Sequence, residues 1–176
     1  MLMLIALVLA VVGGRETYAQ DKPDKYTVKV PGGLGFAEFR GYEDWQSVGP
    51  SLTDSTNVFR LIVGNPVMIA AYKNGVPGNG QLFPEGSMVV KLQWKPKKST
   101  EAQFDVDVPD VFSQAFVMEK DSKRFPKTGG WGYAVFNYDA ASDKYTTDPK
   151  SLSDCGQACH VAVKAKDYIF HPYQKR

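Results

Sequence analysis

A chain of 176 residues with 43% hydrophobic and 12% aromatic content carries enough apolar material to bury the core of one domain, which excludes disorder over most of its length. Its 21 Lys and Arg against 19 Asp and Glu leave a net charge of +2, too small a bias for a nucleic-acid or membrane-surface binder. The nearest basic cluster, Lys95-Pro96-Lys97-Lys98, reads as the solvated end of a hairpin.

The first element is the apolar run Leu2 to Val12, too short to span a bilayer and closed by Gly13-Gly14. With the small residues of Thr17-Tyr18-Ala19 behind it, it reads as a secretory signal peptide over residues 1–19, although Met1-Leu2 lacks the usual positive charge and a retained anchor is the other reading. The expected location is the periplasm. Residues 20–35 are polar and rich in Lys, Asp, Pro and Gly, and read as a flexible lead-in without a core of its own; the folded domain is expected over 36–176.

Phe39, Tyr42 and Trp45 recur at helical spacing and predict a short amphipathic helix ending before Gly49-Pro50. A β-branched strand, Val58 to Val63, stops at Gly64. Asn65-Pro66 then starts a helix that runs to Lys73, because Asn caps free amides and proline has none to leave unpaired. Glycines at 75, 78, 80 and 86 with Pro77 and Pro84 predict a loop. Ser87 to Lys95, Val111 to Glu119 and Trp131 to Tyr138 read as strands whose short links favour antiparallel pairing. Ala158 to Phe170 contains helix formers, while the alternation of Val161, Val163 and Ala165 also fits a strand. The fold class is therefore mainly β or α+β, an antiparallel sheet with a few short helices.

The only two cysteines precede one of the two histidines, in Cys155-Gly-Gln-Ala-Cys159-His160. Covalent haem attachment needs two thiols for the vinyl carbons of one porphyrin edge and a histidine beside the second thiol to ligate the iron. The common motif places two residues between the thiols; here there are three, and Gly156 is suited to a bulge that absorbs the extra one. Two other readings stay open on spacing alone: a small Cys155–Cys159 disulfide, which an oxidising compartment allows, and a zinc site built from both cysteines and both histidines.

From Phe36 onward the sequence resembles the cytochrome P-460 family and its relative cytochrome c-prime-beta. The resemblance is carried by Arg60 ahead of Gly64-Asn65-Pro66, by Phe83-Pro84-Glu85-Gly86 followed by Val89-Val90-Lys91, and by Lys120-Asp121-Ser122-Lys123-Arg124-Phe125. Gly129-Gly130-Trp131-Gly132-Tyr133, the Cys-His motif and Lys166-Asp167-Tyr168-Ile169-Phe170 complete it. The resemblance implies one covalent haem c per chain, bound through Cys155, Cys159 and His160 with His160 as metal ligand, often in a homodimer. It further implies a lysine cross-linked to the porphyrin, which aligns with Lys91, and hydroxylamine oxidation at a five-coordinate iron. The c-prime-beta relatives imply instead a gas-binding or electron-transfer cytochrome that takes nitric oxide without turnover.

Alternation along the strand puts Met88, Val90, Leu92 and Trp94 on one face and Val89, Lys91, Gln93 and Lys95 on the other, so Lys91 is off the apolar face. Arg60, with Val58 and Ile62, needs an anionic partner, and a haem propionate, a polar ligand or a surface carboxylate would serve. Lys91 and Arg60 are the candidate catalytic residues. Lys123, Arg124 and Trp131 read as turn and core framework, and His171 as exposed rather than a sixth ligand. The expected partners are hydroxylamine or nitric oxide and a redox partner such as a small cytochrome, with no nucleic acid.

Overall fold

The computed structural model describes residues 24–149, 151 and 156–176. The apolar N-terminal run and Cys155 lie outside the described residues. Six strands, β1 (Gln46–Thr53), β2 (Val58–Gly64), β3 (Met88–Lys98), β4 (Asp107–Lys120), β5 (Trp131–Asp139) and β6 (Lys144–Thr147), form one antiparallel sheet in chain order. Helix α1 (Pro66–Lys73) links β2 to β3, and a helical turn α2 (Ala158–His160) carries the end of the Cys-His motif. The antiparallel sheet with a few short helices is the architecture expected from the sequence. No helix among the described residues is long and apolar enough to cross a membrane.

The two faces of the sheet bury different partners. Val63, Val90, Val117, Ala134 and Phe136 point to a face covered by Val30, Leu34, Phe36, Phe39 and Tyr42. Phe36 stacks on Phe136 with ring centroids 4.5 Å apart. Ile62, Val89, Met118 and Tyr133 point to the opposite face, where α1 contributes Met68, Ile69 and Tyr72 and the C-terminal segment contributes Tyr168 and Ile169.

Four local expectations are corrected. Residues 24–35 are no lead-in without a core: Val30 and Leu34 are 1% and 0% exposed, and Lys29 bridges Gly35, so the packed unit starts ahead of Phe36. Phe39 and Tyr42 sit on two separate 3-10 turns, Phe36–Phe39 and Tyr42–Asp44, because Gly41 turns the chain with φ +84° between them, and Trp45 follows the second turn in extended conformation. Strand β1 runs through Gly49-Pro50, which proline tolerates on an edge strand, and the pairing slips between Ser47 and Gly49. The segment after the motif is the turn α2 followed by a kinked 3-10 run, Val161–Lys166, rather than one helix or a strand.

Candidate functional site

The pleat sets the site. On the face opposite the Phe36 cluster, Ile62, Lys91, Phe116 and Val135 stand side by side across β2 to β5. One row further along come Arg60, Gln93, Gln114 and Asn137. Beneath them lies a cavity of about 720 Å³, walled by these strands and closed by Cys159, His160, Ile169, Phe170 and His171. That volume is in the range of pockets that enclose a cofactor, about 300–1,000 Å³. The face that the alternation of β3 left for Lys91 is therefore a cavity wall, and Lys91 is half-buried there.

Lys91 Nζ lies 4.0 Å from the centre of the Phe116 ring. Burial, with the Arg60 charge nearby, lowers its pKa to about 8. An amine near neutrality is a nucleophile at mildly alkaline pH, which an ordinary surface lysine is not. Arg60 finds no acidic partner among the described residues; its Nε donates to Gln93 Oε1 at 3.2 Å.

His160 ends α2 with its ring between Tyr133 and Phe170, at centroid distances of 5.2 and 4.9 Å. Its Nδ1 meets the Tyr168 carbonyl at 2.5 Å. A carbonyl only accepts, so Nδ1 carries the proton and Nε2 keeps the lone pair for a metal; this is the usual outer support of a ligating imidazole. Burial lowers the His160 pKa and keeps the ring neutral, as a ligand must be.

The carbonyl is aimed by a strained corner. Asp167 and Tyr168 have φ of +47° and +64°, a left-handed pair without glycine. Asp167, 3% exposed, holds it in place. Its carboxylate accepts from Lys120 Nζ at 2.8 Å, Trp131 Nε1 at 3.2 Å and the Phe83 amide at 2.8 Å. Trp131 is thus core framework, as read from the sequence, with one polar bond to the site's support. Gly129 has φ +69° and lies under the Tyr168 ring, where a Cβ would collide.

Gly156 serves the motif differently from expectation. It is not among the glycines with positive φ, and a Cβ there would overlap the Tyr133 ring, so close approach is what requires glycine. Ser151, Gly156 and Gln157 carry π-helical geometry, whose wider turn takes one residue more than an α turn. Cys159 is exposed on the cavity rim, with no disulfide partner among the described residues.

These residues fit a haem. Among the described residues the donor set is one neutral imidazole with Nε2 available and one accessible thiol, on the rim of a cavity open to one side. Tyr133 OH is buried beside it without a hydrogen-bond partner. Among the described residues no three His, Cys, Asp or Glu side chains converge as a metal cluster would require. His171 corrects the sequence reading: it is half-buried on the cavity wall, its pKa lowered by burial and by Lys91 and Arg60. Sequence reasoning also missed Gln93, Gln114 and Asn137; their register with Arg60 was the signal, and it appears only once the strands are paired.

Comparison with curated proteins returned no match. Comparison with protein families matches residues 39–171 to Cytochrome P460, from the middle of the N-terminal aromatic segment to His171. That span takes in the strand lysine, the glycine-rich turn, the cavity and the Cys-His motif, and covers most of the chain. The chain therefore belongs to the cytochrome P460 family, membership of which implies the binding of haem c.

Proposed function

We propose that this protein is a periplasmic c-type cytochrome carrying one covalent haem through Cys155 and Cys159, with His160 Nε2 as the iron ligand, and that it oxidises hydroxylamine in the cavity. When bound, the haem would supply a redox-active iron able to accept electrons from a small nitrogenous molecule. The chain's own residues supply the rest. Tyr168 fixes the imidazole through Nδ1; Phe116 and Val135 keep water from the wall; His171 is a neutral imidazole on the wall, able to take a proton. Lys91 would present an amine with a pKa of about 8, as the residue that the family resemblance assigns to a porphyrin cross-link. A small cytochrome as electron acceptor and a homodimer as assembly belong to the same proposal, both on family resemblance.

The observation that carries this reading is the pairing, on one cavity, of a ring-pinned His160 with a half-buried Lys91 that has no acidic partner among the described residues. A second reading, a c-prime-beta-like protein that binds nitric oxide without turnover, gains support from the lining itself, which among the described residues holds no carboxylate to take protons.

The visible spectrum of the ferrous protein, made in a host that attaches haem and followed by intact mass, tests both. A red-shifted Soret band that is lost in Lys91→Ala supports the cross-linked oxidase. An ordinary c-type spectrum indifferent to that change rejects the cross-link, and a mass without porphyrin rejects the whole proposal.

A further inference from the structure

Arg60, Gln93, Gln114 and Asn137 occupy one register row across four adjacent strands. Their side chains are bonded in series. Arg60 Nε donates to Gln93 Oε1 at 3.2 Å, Gln93 Nε2 to Gln114 Oε1 at 3.1 Å, and Gln114 Nε2 to Asn137 Oδ1 at 2.7 Å.

The direction of this chain is dictated at one end. A guanidinium has donors only, so Gln93 must turn its oxygen toward Arg60, which sends its NH2 to Gln114 and fixes that amide and the next in the same sense. Each bond polarises the one that follows. The Nη groups of Arg60 take no protein acceptor among the described residues, although Arg60 lines the cavity beside Lys91 and His171. The lining of that cavity contains no Asp or Glu among the described residues. A half-buried cation that the chain orients but does not neutralise is set to receive a negative charge from elsewhere.

We infer that Gln93, Gln114 and Asn137 are positioning residues that hold the Arg60 guanidinium on the cavity wall as a clamp for one negatively charged group, either a free small anion bound in the cavity or a propionate of the porphyrin. The inference rests on the haem reading above and adds to it a preference for anionic over neutral ligands and the residues that set it.

The test uses the holoprotein and two probes: azide titrated against the ferric form, and carbon monoxide, which is neutral, against the ferrous form. Gln93→Leu removes the acceptor and breaks the row. Gln93→Glu keeps size and acceptor but neutralises Arg60, so it reads charge without loss of shape.

With a free anion as the clamped group, azide binding weakens about tenfold in Gln93→Leu, the loss expected of one charged hydrogen bond, and further in Gln93→Glu, while carbon monoxide affinity stays within about twofold. With a propionate as the clamped group, azide affinity is unchanged and the reduction potential of the haem falls in both variants. The inference is overturned when neither azide affinity nor potential moves, or when carbon monoxide affinity falls in step with azide, which reads collapse of the cavity. Protein without porphyrin mass defeats the haem reading, and this inference with it; haem present with both readouts unmoved defeats this inference alone.

Discussion

Single residues carry charge arrangements that solution measurements can read. Arg124, assigned to framework from the sequence, is the centre of one: its Nη1 donates to Glu38 Oε2 at 2.6 Å and to Glu119 Oε2 at 3.1 Å, tying the N-terminal turn to β4. The two carboxylates share that cation unequally. Burial and the neighbouring Glu38 carboxylate raise the pKa of Glu119 to about 7, while Arg124 and the Gly35 amide hold Glu38 below its usual value despite burial. A folded pKa above the unfolded one means that the native state binds the extra proton, so the Glu119 contribution to stability is complete below about pH 4.5 and is lost as the pH rises through about 7. Glu119→Gln keeps the neutral shape at every pH. Its urea midpoint relative to the parent should therefore be higher at pH 7 than at pH 5; a difference independent of pH would show that Glu119 titrates normally.

Elements show how far the sequence could be read. Strand β3 was legible because alternation of Val, Leu and Trp with polar residues states both the strand and its faces, and α1 because Asn65-Pro66 marks its start: Asn65 Oδ1 accepts from the Met68 amide at 3.0 Å. Strand β1 was hidden by Gly49-Pro50, a breaker in general and harmless at an edge, and β6 by its length of only four residues. The position of His171 was illegible for another reason: it depends on the left-handed corner at Asp167-Tyr168, and nothing about Asp followed by Tyr announces positive φ. That corner in turn depends on the glycine-rich turn before β5. Gly129→Ala adds a left-handed strain and drives a methyl into the Tyr168 ring, at a cost of about 2 kcal/mol or more. The expected fall in Tm is roughly 4–8 °C. Since Tyr168 also supplies the His160 carbonyl, the variant should lose haem-ligand character in its spectrum as well; an unchanged Tm and spectrum would show that the turn gives way freely.

Across the whole molecule, the sheet has its two long sides treated differently. Strand β6 is short, whereas β1 offers an eight-residue edge that the C-terminal tail covers. The Gln174 amide donates to the Val48 carbonyl at 3.0 Å, Gln46 Nε2 donates to Tyr173 OH at 2.5 Å, and Arg176 reaches the Ser47 carbonyl. Gly49 admits the strap, since a Cβ there would lie 2.6 Å from Gln174 Cγ. Tyr173 stacks on Tyr72, centroids 5.7 Å apart, and Tyr72 OH donates to the His171 carbonyl at 2.8 Å. An uncovered strand edge is a template for pairing with another chain. Ending the chain at Pro172 should lower stability by about 1–2 kcal/mol and shift the protein to larger species in light scattering; a truncated chain with the parent's Tm and mass would remove the tail from this role. The same short stretch, from the corner that backs the His160 imidazole to the strap on β1, thus supports the proposed haem ligand and the sheet edge together. An affinity tag fused after Arg176 would load both ends of it, and a poorly haem-loaded tagged preparation would then report on the tag rather than on the Cys-His motif.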